Sequence, residues 1–162
     1  MLKRVISLAL VFILIFSLFG CGSNDFKIGE LTITLPNGYT ERERPENMNM
    51  LLSDGKSTVS FRRISFIDAA ASGIPTGLSD GEFAEYFLEN SGVGGVISSY
   101  KSTPYYTYYK DEEGVSLFTL CAFVRTPYAY FVIVFATGKD REEVGRAEYF
   151  SSIESIKIEI LE

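Results

Sequence analysis

The sequence contains no histidine and no tryptophan, and only two of its 162 residues are cysteines. Histidine is the most common general acid or base near neutral pH, and it contributes to most zinc and haem sites. Its absence excludes Ser-His and Cys-His nucleophile pairs and leaves Asp, Glu, Lys or Tyr for acid–base chemistry. Those residues form no recognisable catalytic constellation. We therefore predict no catalytic residues, no metal site, no cofactor, and a protein that is not an enzyme.

Positive charge is also scarce. The chain has 15 Lys and Arg against 21 Asp and Glu, a net charge of −6, and two of the cations, Lys3 and Arg4, belong to the N-terminal segment. Binding to nucleic acid depends on Lys and Arg at the phosphates, so we expect no nucleic-acid partner. The same acidic balance opposes attachment to anionic lipid headgroups by surface charge alone.

The N-terminal segment has the features of an export signal. Lys3 and Arg4 form a positive region, and residues 5–19 are apolar apart from Ser7 and Ser17. A transmembrane helix needs about 20 apolar residues, so this shorter run favours a signal peptide over a permanent membrane span. We predict a signal peptide at residues 1–20, with the rest of the chain exported.

The end of that segment, Leu18-Phe19-Gly20-Cys21, resembles the lipobox of bacterial lipoprotein signal peptides. Phe19 is bulkier than the residue usual at its position. The resemblance implies cleavage before Cys21, covalent diacylglycerol on the Cys21 thiol, and a palmitate-type anchor at the extracytoplasmic face of a bacterial membrane. Two acyl chains anchor a protein stably, whereas a single chain holds it only marginally. The alternatives are an uncleaved signal anchor or a secreted protein in which Cys21 is incidental.

The second cysteine, Cys121, lies in the apolar run "LFTLCAFV". With Cys21 modified, Cys121 has no partner for a disulfide, and we predict that it is a small buried hydrophobic residue.

The residues after the lipobox divide into a tether and one folded domain. We assign residues 21–30 to the lipidated cysteine and a short polar tether, and residues 31–162 to a single α+β domain. The 10 Tyr and 13 Phe favour a β-rich fold, because aromatic residues are enriched in strands. The connections between the predicted strands of the β-rich region are short, which predicts that neighbouring strands are antiparallel.

Alternation of apolar and polar residues predicts the strands. A first strand covers residues 31–35, and residues 49–53 and 57–65 form a hairpin. Four strands follow at residues 96–101, 105–110, 115–125 and 128–136, and a last one contains Ile156, Ile158 and Ile160. "YFVIVF", residues 130–135, is apolar on both faces, which is typical of a central strand covered on both sides.

Two helices are predicted from their caps. Ser79 and Glu82 form a capping box before an amphipathic stretch, and Gly92 is a natural C-terminal stop. Asp140 and Glu143 indicate a second capping box at the start of the last helix. Residues 67–77 are rich in Ala, Gly, Ser and Pro, and we interpret them as a connection with at most one helical turn.

The opening "ITLPNGY" (residues 33–39) and the ending "YFSSIESIKI" (residues 149–158) resemble the Mog1/PsbP-like fold, and so does the order of elements between them. The resemblance implies a central antiparallel sheet flanked by helices. Its members are mostly binding or assembly factors, including photosystem subunits, a nuclear-transport regulator and uncharacterised bacterial lipoproteins. No catalytic residues accompany this family.

Four tyrosines in "YYTYY", Tyr105, Tyr106, Tyr108 and Tyr109, lie on both faces of one predicted strand. Exposed tyrosines would form a surface for a partner, whereas inward-facing ones would pack beneath a helix or in cross-strand pairs. We retain both interpretations. "KDEEG", residues 110–114, and "ERERPEN", residues 41–47, are interpreted as a solvated hairpin tip and a solvated loop.

Together these features predict a non-catalytic, membrane-anchored lipoprotein that acts by protein–protein or ligand contact in the cell envelope. Its partners would be the membrane, through the lipid, and an envelope protein. Two alternatives remain: a solute-binding or sensing lipoprotein with an aromatic pocket, and a carboxylate-based envelope hydrolase with two Asp or Glu in one cleft.

Overall fold

A computed structural model describes residues 23–112 and 114–160 of the chain. The predicted signal peptide, the lipobox and Cys21 lie outside these residues. Ten strands are described: β1 (Ser23–Ile28), β2 (Leu31–Pro36), β3 (Thr40–Glu41), β4 (Met50–Ser53), β5 (Ser57–Ser65), β6 (Ser98–Tyr100), β7 (Thr103–Glu112), β8 (Val115–Arg125), β9 (Ala129–Gly138) and β10 (Lys157–Ile158). The helices are α1 (Phe66–Ala71), α2 (Asp80–Ser91) and α3 (Glu142–Glu154), with a 3₁₀ turn at Lys139–Arg141 before α3.

The strands form two antiparallel sheets. The larger has seven strands in the order β3-β4-β5-β9-β8-β7-β6, and the smaller has three in the order β1-β2-β10. β9 pairs with β5 on one side and β8 on the other. This arrangement confirms the predicted fold class: a large antiparallel sheet flanked by helices.

Two apolar cores lie on opposite faces of the seven-stranded sheet. β9 feeds both, since Phe131, Ile133 and Phe135 belong to the first core and Tyr130 and Val132 to the second. The first core is covered by the small sheet and α3, and the second by α1 and α2. The prediction that this strand is central and covered on both sides is therefore confirmed.

Helix α2 begins and ends as its sequence predicts. The Ser79 side chain accepts from the backbone N–H of Glu82, the Glu82 carboxylate accepts from the Ser79 N–H, and Gly92 adopts φ +71°. Tyr130 holds the connection before this helix: its hydroxyl accepts from the Leu78 N–H at 3.0 Å and donates toward the Pro75 carbonyl at 3.0 Å. Its ring stacks on Phe83 of α2 with the ring centroids 4.1 Å apart.

The structure corrects the predicted tether. Residues 23–28 form β1, which pairs with β2 from Ser23 opposite Pro36 to Ile28 opposite Leu31. Phe26 and Ile28 alternate with charged residues, so the segment has the period-2 pattern of an edge strand, and Ile28 is buried. The polar composition of residues 23–30 obscured this pattern.

Three further boundaries differ from the prediction. α3 begins after the 3₁₀ turn and has no side-chain cap, so the Asp140–Glu143 capping box is wrong. Residues 66–71 form α1, capped by Ser65, because the alanines there continue a regular helix. β10 is limited to Lys157–Ile158, and Ile158 and Ile160 are exposed because β10 pairs with only two residues of β2.

Candidate functional site

The four tyrosines of β7 do not share a surface. Tyr106 and Tyr108 face the second core, and Tyr106 is almost fully buried. Tyr105 and Tyr109 face the side of α3, where Tyr105 meets the Phe150 ring edge-on with centroids 5.2 Å apart. Of the four, Tyr109 is the most exposed, at 55%. Most of these tyrosines therefore pack inward, as the second of the two interpretations expected. Of the four, only Tyr109 offers substantial area to a partner.

Tyr109 lies at the edge of a shallow groove along α3, which we call the α3 groove. Its volume is about 610 Å³, and it is lined by Lys139, Asp140, Glu142, Glu143, Arg146, Ala147 and Phe150. The Tyr109 hydroxyl donates to Glu142 Oε2 at 2.7 Å, and Lys139 Nζ lies 5.0 Å from the centre of the Tyr109 ring. Arg146 pairs with Glu142 at 2.7 Å and covers the Phe118 ring. Glu142 and Arg146 of the groove thus pair with each other, and Lys139 lies over the Tyr109 ring.

A second, narrower cavity lies at the opposite end of α3, which we call the terminal cleft. Its volume is about 280 Å³. The cleft has an apolar lining of Tyr100, Val124, Ile153, Ile156 and Ile158, and a charged lining of Asp80, Lys101, Arg125 and Glu154. These residues come from the start of α2, the β6–β7 turn, the end of β8 and the end of α3. An apolar cavity with a few convergent polar groups is the usual form of a ligand site.

The charged groups of the terminal cleft fall into two sets. Glu154 accepts from the Tyr100 hydroxyl and pairs with Lys101 Nζ at 2.9 Å, and these two donors lower the pKa of the carboxyl. Asp80 accepts from the Arg125 backbone N–H at 2.7 Å. Burial raises the pKa of Asp80, although the Arg125 N–H and guanidinium act in the opposite direction. The cleft therefore presents two carboxylates whose pKa values are shifted in opposite directions from their ordinary values.

Lys101 has an unusual backbone. Its φ is +56°, and among residues 23–112 and 114–160 it is the sole non-glycine with positive φ. Lys101 and Ser102 form the two-residue turn between β6 and β7, where Tyr100 pairs with Thr103. A positive φ at the first turn position is the place for glycine in a type II′ turn, so lysine there costs stability. Its side chain gains the contact with Glu154. Strain of this kind occurs often at functional sites.

A buried ionic network lies beside the β1–β2 turn. The Glu30 side chain is fully buried, and its carboxylate accepts from Arg63 Nε at 2.9 Å and from the Thr126 hydroxyl. Burial tends to raise the pKa of Glu30, but the Arg63 and Thr126 hydrogen bonds outweigh it and the pKa is lowered. Gly29, at φ +59°, allows the close approach of Arg63, since a Cβ there would meet Nε at 3.0 Å. The network fixes the small sheet to the large one.

Sequence reasoning missed both the terminal cleft and this network. Glu30 and Thr126 are 96 positions apart, and Arg125 contacts Asp80 across 45. No pattern in the sequence distinguishes the turn at Lys101.

Other candidate groups are structural. Cys121 is buried, and burial raises the pKa of its thiol to about 12, which agrees with the prediction of a small buried hydrophobic residue. Within the described part of the chain, no cluster of three acidic or cysteine side chains has the arrangement of a metal site. No helix within residues 23–112 and 114–160 is long and apolar enough to cross a membrane.

No family model matches this sequence, and no curated protein sequence matches it. Solved structures resemble its fold. A protein of Bacteroides thetaiotaomicron superposes with a TM-score of 0.57 at 14% identity over 81% of this chain, which spans only 46% of that structure. CyanoP, the cyanobacterial PsbP of Synechocystis, has a TM-score of 0.52 at 11% identity, with 85% of this chain and 92% of CyanoP covered. The Ran-binding protein Mog1p of Saccharomyces cerevisiae has a TM-score of 0.48 at 9% identity, with 85% and 96% covered.

At sequence identities this low, the similarity shows a shared fold and nothing about function. The similarity to CyanoP extends over nearly the whole of both chains, and it agrees with the Mog1/PsbP-like architecture expected from the opening and closing segments of the sequence.

Proposed function

We propose that the protein is a membrane-anchored extracytoplasmic lipoprotein whose domain binds an envelope protein through the terminal cleft. The anchor is diacylglycerol on Cys21, after cleavage behind Leu18, Phe19 and Gly20. Its support is the lipobox itself, which follows an apolar run too short for a permanent span. The lipid would hold the protein at the membrane without help from its acidic surface.

Incorporation of radiolabelled palmitate tests the anchor. We expect label in the wild type and none in Cys21→Ser. Cys121→Ser is the matched control, because Cys121 is buried in the core, and it should keep the label. Undiminished label in Cys21→Ser would refute the anchor.

One observation supports binding at the terminal cleft: an apolar floor and four charged side chains converge there, with a strained lysine at the rim. Paired charges around an apolar floor suit a peptide segment that carries one apolar side chain and its own polar groups. The floor supplies burial, and the rim supplies orientation. The cleft also includes Lys101, whose backbone is strained and whose side chain forms the ion pair with Glu154.

A photoreactive residue at Ser102, on the rim of the cleft, tests this site in intact cells. We expect a discrete crosslinked product from Ser102 and none from Glu89, an exposed position on α2. Lys101→Gly should abolish the product without lowering the melting temperature, because glycine suits the positive φ. A product that survives Lys101→Gly, or that forms equally at Glu89, would contradict binding at the cleft.

The solute-binding alternative requires an aromatic pocket. The β7 tyrosines lie on opposite faces of the sheet, and none of them lines the α3 groove or the terminal cleft. The tyrosines therefore give this alternative little support. A thermal-shift screen would restore it, because a ligand at 100 times its dissociation constant adds about 2.7 kcal/mol to the free energy of unfolding.

A carboxylate-based hydrolase is the second candidate, and it has one observation in its favour. Asp80 and Glu154 line the same cleft, and two carboxyl groups in one cleft are the minimum that carboxylate-based hydrolysis requires. Glycoside hydrolysis by the purified domain that is lost in both Asp80→Asn and Glu154→Gln would establish it. Both carboxylates already accept structural hydrogen bonds, so we place binding first.

A further inference from the structure

We propose that one end of the domain lies directly against the lipid headgroups and that the terminal cleft points away from the membrane. This inference rests on the anchor proposed above. We call the membrane-facing part the turn end. It consists of the start of β1, residues 36–38, residues 53–57, residues 110–112 and 114–116, and residues 138–142.

The strand registers bring these segments together. Ser23 lies opposite Pro36, so β1 begins where β2 ends. The chain then turns into β3, where Thr40 lies opposite Ser53. Ser57 lies opposite Thr137, and Leu117 opposite Gly138, which brings in the ends of β5, β9 and β8. Every one of these pairings is at the same end of the two sheets.

The chain leaves the anchor with almost no slack. Cys21 precedes Ser23 by two residues, and two fully extended residues span about 7 Å. Because Ser23 is already part of β1 and paired with Pro36, no free tether remains to let the domain turn over. A tether of ten residues, as the sequence first indicated, would have allowed any orientation.

The terminal cleft lies at the opposite end. α3 starts at Glu142 in the turn end and finishes at Glu154, which contacts Lys101 in the cleft. β9 runs the same distance with ten residues, or roughly 30 Å at the rise of an extended strand. The cleft is therefore held about that far above the headgroups, facing outward to meet a partner.

The chemistry of the turn end suits an interfacial position held by lipid and not by charge. Its charges are of both signs: Asp54 and Lys56 are close in sequence, Lys139 and Arg141 flank Asp140, and Asp111 and Glu112 follow Lys110. Half-exposed Tyr109, Val115 and Val144 lie at or beside this end. Tyrosine and aliphatic side chains are at home at the membrane–water boundary, whereas the mixed charges give no strong attraction to an anionic surface.

Fluorescence quenching in vesicles tests the orientation. The lipidated full-length protein is reconstituted into neutral phosphatidylcholine vesicles that contain a headgroup-attached nitroxide, and a fluorophore is placed by Lys56→Cys or Lys157→Cys. Both positions are exposed lysines, one in the turn end and one in β10 at the far end. The buried Cys121 thiol, with its raised pKa, stays unlabelled in the native protein.

We expect loss of fluorescence at residue 56 and none at residue 157. Insertion of twenty Gly/Ser residues between Gly22 and Ser23 should abolish the difference, because a flexible linker frees the domain to rotate. Equal quenching at the two positions without the linker, or stronger quenching at residue 157, would overturn the proposed orientation. Protein that carries no lipid and does not associate with the vesicles would instead overturn the anchor, and the orientation with it.

Discussion

Among the described residues, Glu30 is the one buried charged residue. It joins the β1–β2 turn to Arg63 of β5 and to Thr126, which follows β8. The Glu30 carbonyl also accepts from the Glu159 N–H at 2.8 Å. Removal of its carboxylate would leave Arg63 beside an apolar core without a counter-ion. Such losses are costly when the partner remains buried.

We predict that Glu30→Ala lowers the free energy of unfolding by about 2 kcal/mol, below the range for fully buried pairs because Arg63 keeps a quarter of its side chain exposed. Urea unfolding measures this loss. Glu46→Ala removes the same charge from the exposed loop and serves as the control, with little expected change.

The same network predicts a dependence on pH. Because the folded state lowers the Glu30 pKa below its ordinary 4.5, the stabilisation is fully present above pH 4.5 and is lost as pH falls through the folded value. We expect the free energy of unfolding to decline below pH 4.5 more steeply in wild type than in Glu30→Gln. Parallel curves for the two proteins would contradict this assignment.

Two buried tyrosines should respond differently to loss of the hydroxyl. Tyr130→Phe removes the bonds to the Pro75–Leu78 connection and should cost about 1 to 2 kcal/mol.

The Tyr149 hydroxyl is buried beside Ser57 and Thr137 but makes no hydrogen bond of normal geometry with the described residues. Tyr149→Phe should therefore leave the free energy of unfolding unchanged or raise it, as measured by thermal and urea unfolding. Equal losses in the two variants would indicate that Tyr149 also has a bonding partner.

At the scale of the element, β1 occupies residues that the sequence analysis assigned to a tether. Replacement of residues 23–28 by Gly and Ser keeps the length but removes buried Ile28 and the pairing of β2. We expect a loss of about 2 kcal/mol or more, since burial of one large aliphatic side chain contributes 1.5 to 3 kcal/mol. Faster amide exchange in β2 would accompany it. An unchanged unfolding curve would mean that these residues act as a tether after all.

Local patterns predicted the elements well where their cause was local. The capping box at Ser79, the hairpin through residues 54–56 and the bounds of β8 depend on neighbours in the sequence, and each is confirmed. The predicted start of α3 was wrong because Asp140 lies within the 3₁₀ turn, and the helix begins after Arg141 without a side-chain cap. β1 failed because an edge strand can be polar in composition and still be paired.

For the whole molecule, the layer order explains where stability resides. β9 has a hydrogen-bonded neighbour on each side and a core on each face, whereas β6 lies at the edge of the sheet with three residues. Amide exchange by NMR should therefore be slowest in β9 and fast in β6, since the most protected amides open only with global unfolding. Equal protection of the two strands would contradict a single cooperative core around β9.

The fold class was predictable as a whole, and the candidate sites were not. The succession of strands and helices follows from patterns a few residues long, and short turns make the neighbours antiparallel. The terminal cleft instead combines Asp80, Lys101 and Glu154, which no pattern relates. The sequence indicated Cys21 as the lipid site, but the proposed orientation also depends on Ser23 being part of β1, which only the structure describes.

The small sheet also imposes an order in time. β2 lies between β1 and β10, and the Thr34 backbone N–H donates to Ser155 Oγ across 121 positions of the chain. A chain that emerges N-terminus first, from a ribosome or a translocation pore, exposes β1 and β2 long before Ser155 and Glu159 exist to complete their pairing. Contacts so distant in sequence form late. The domain would therefore finish folding only when nearly all of it has emerged.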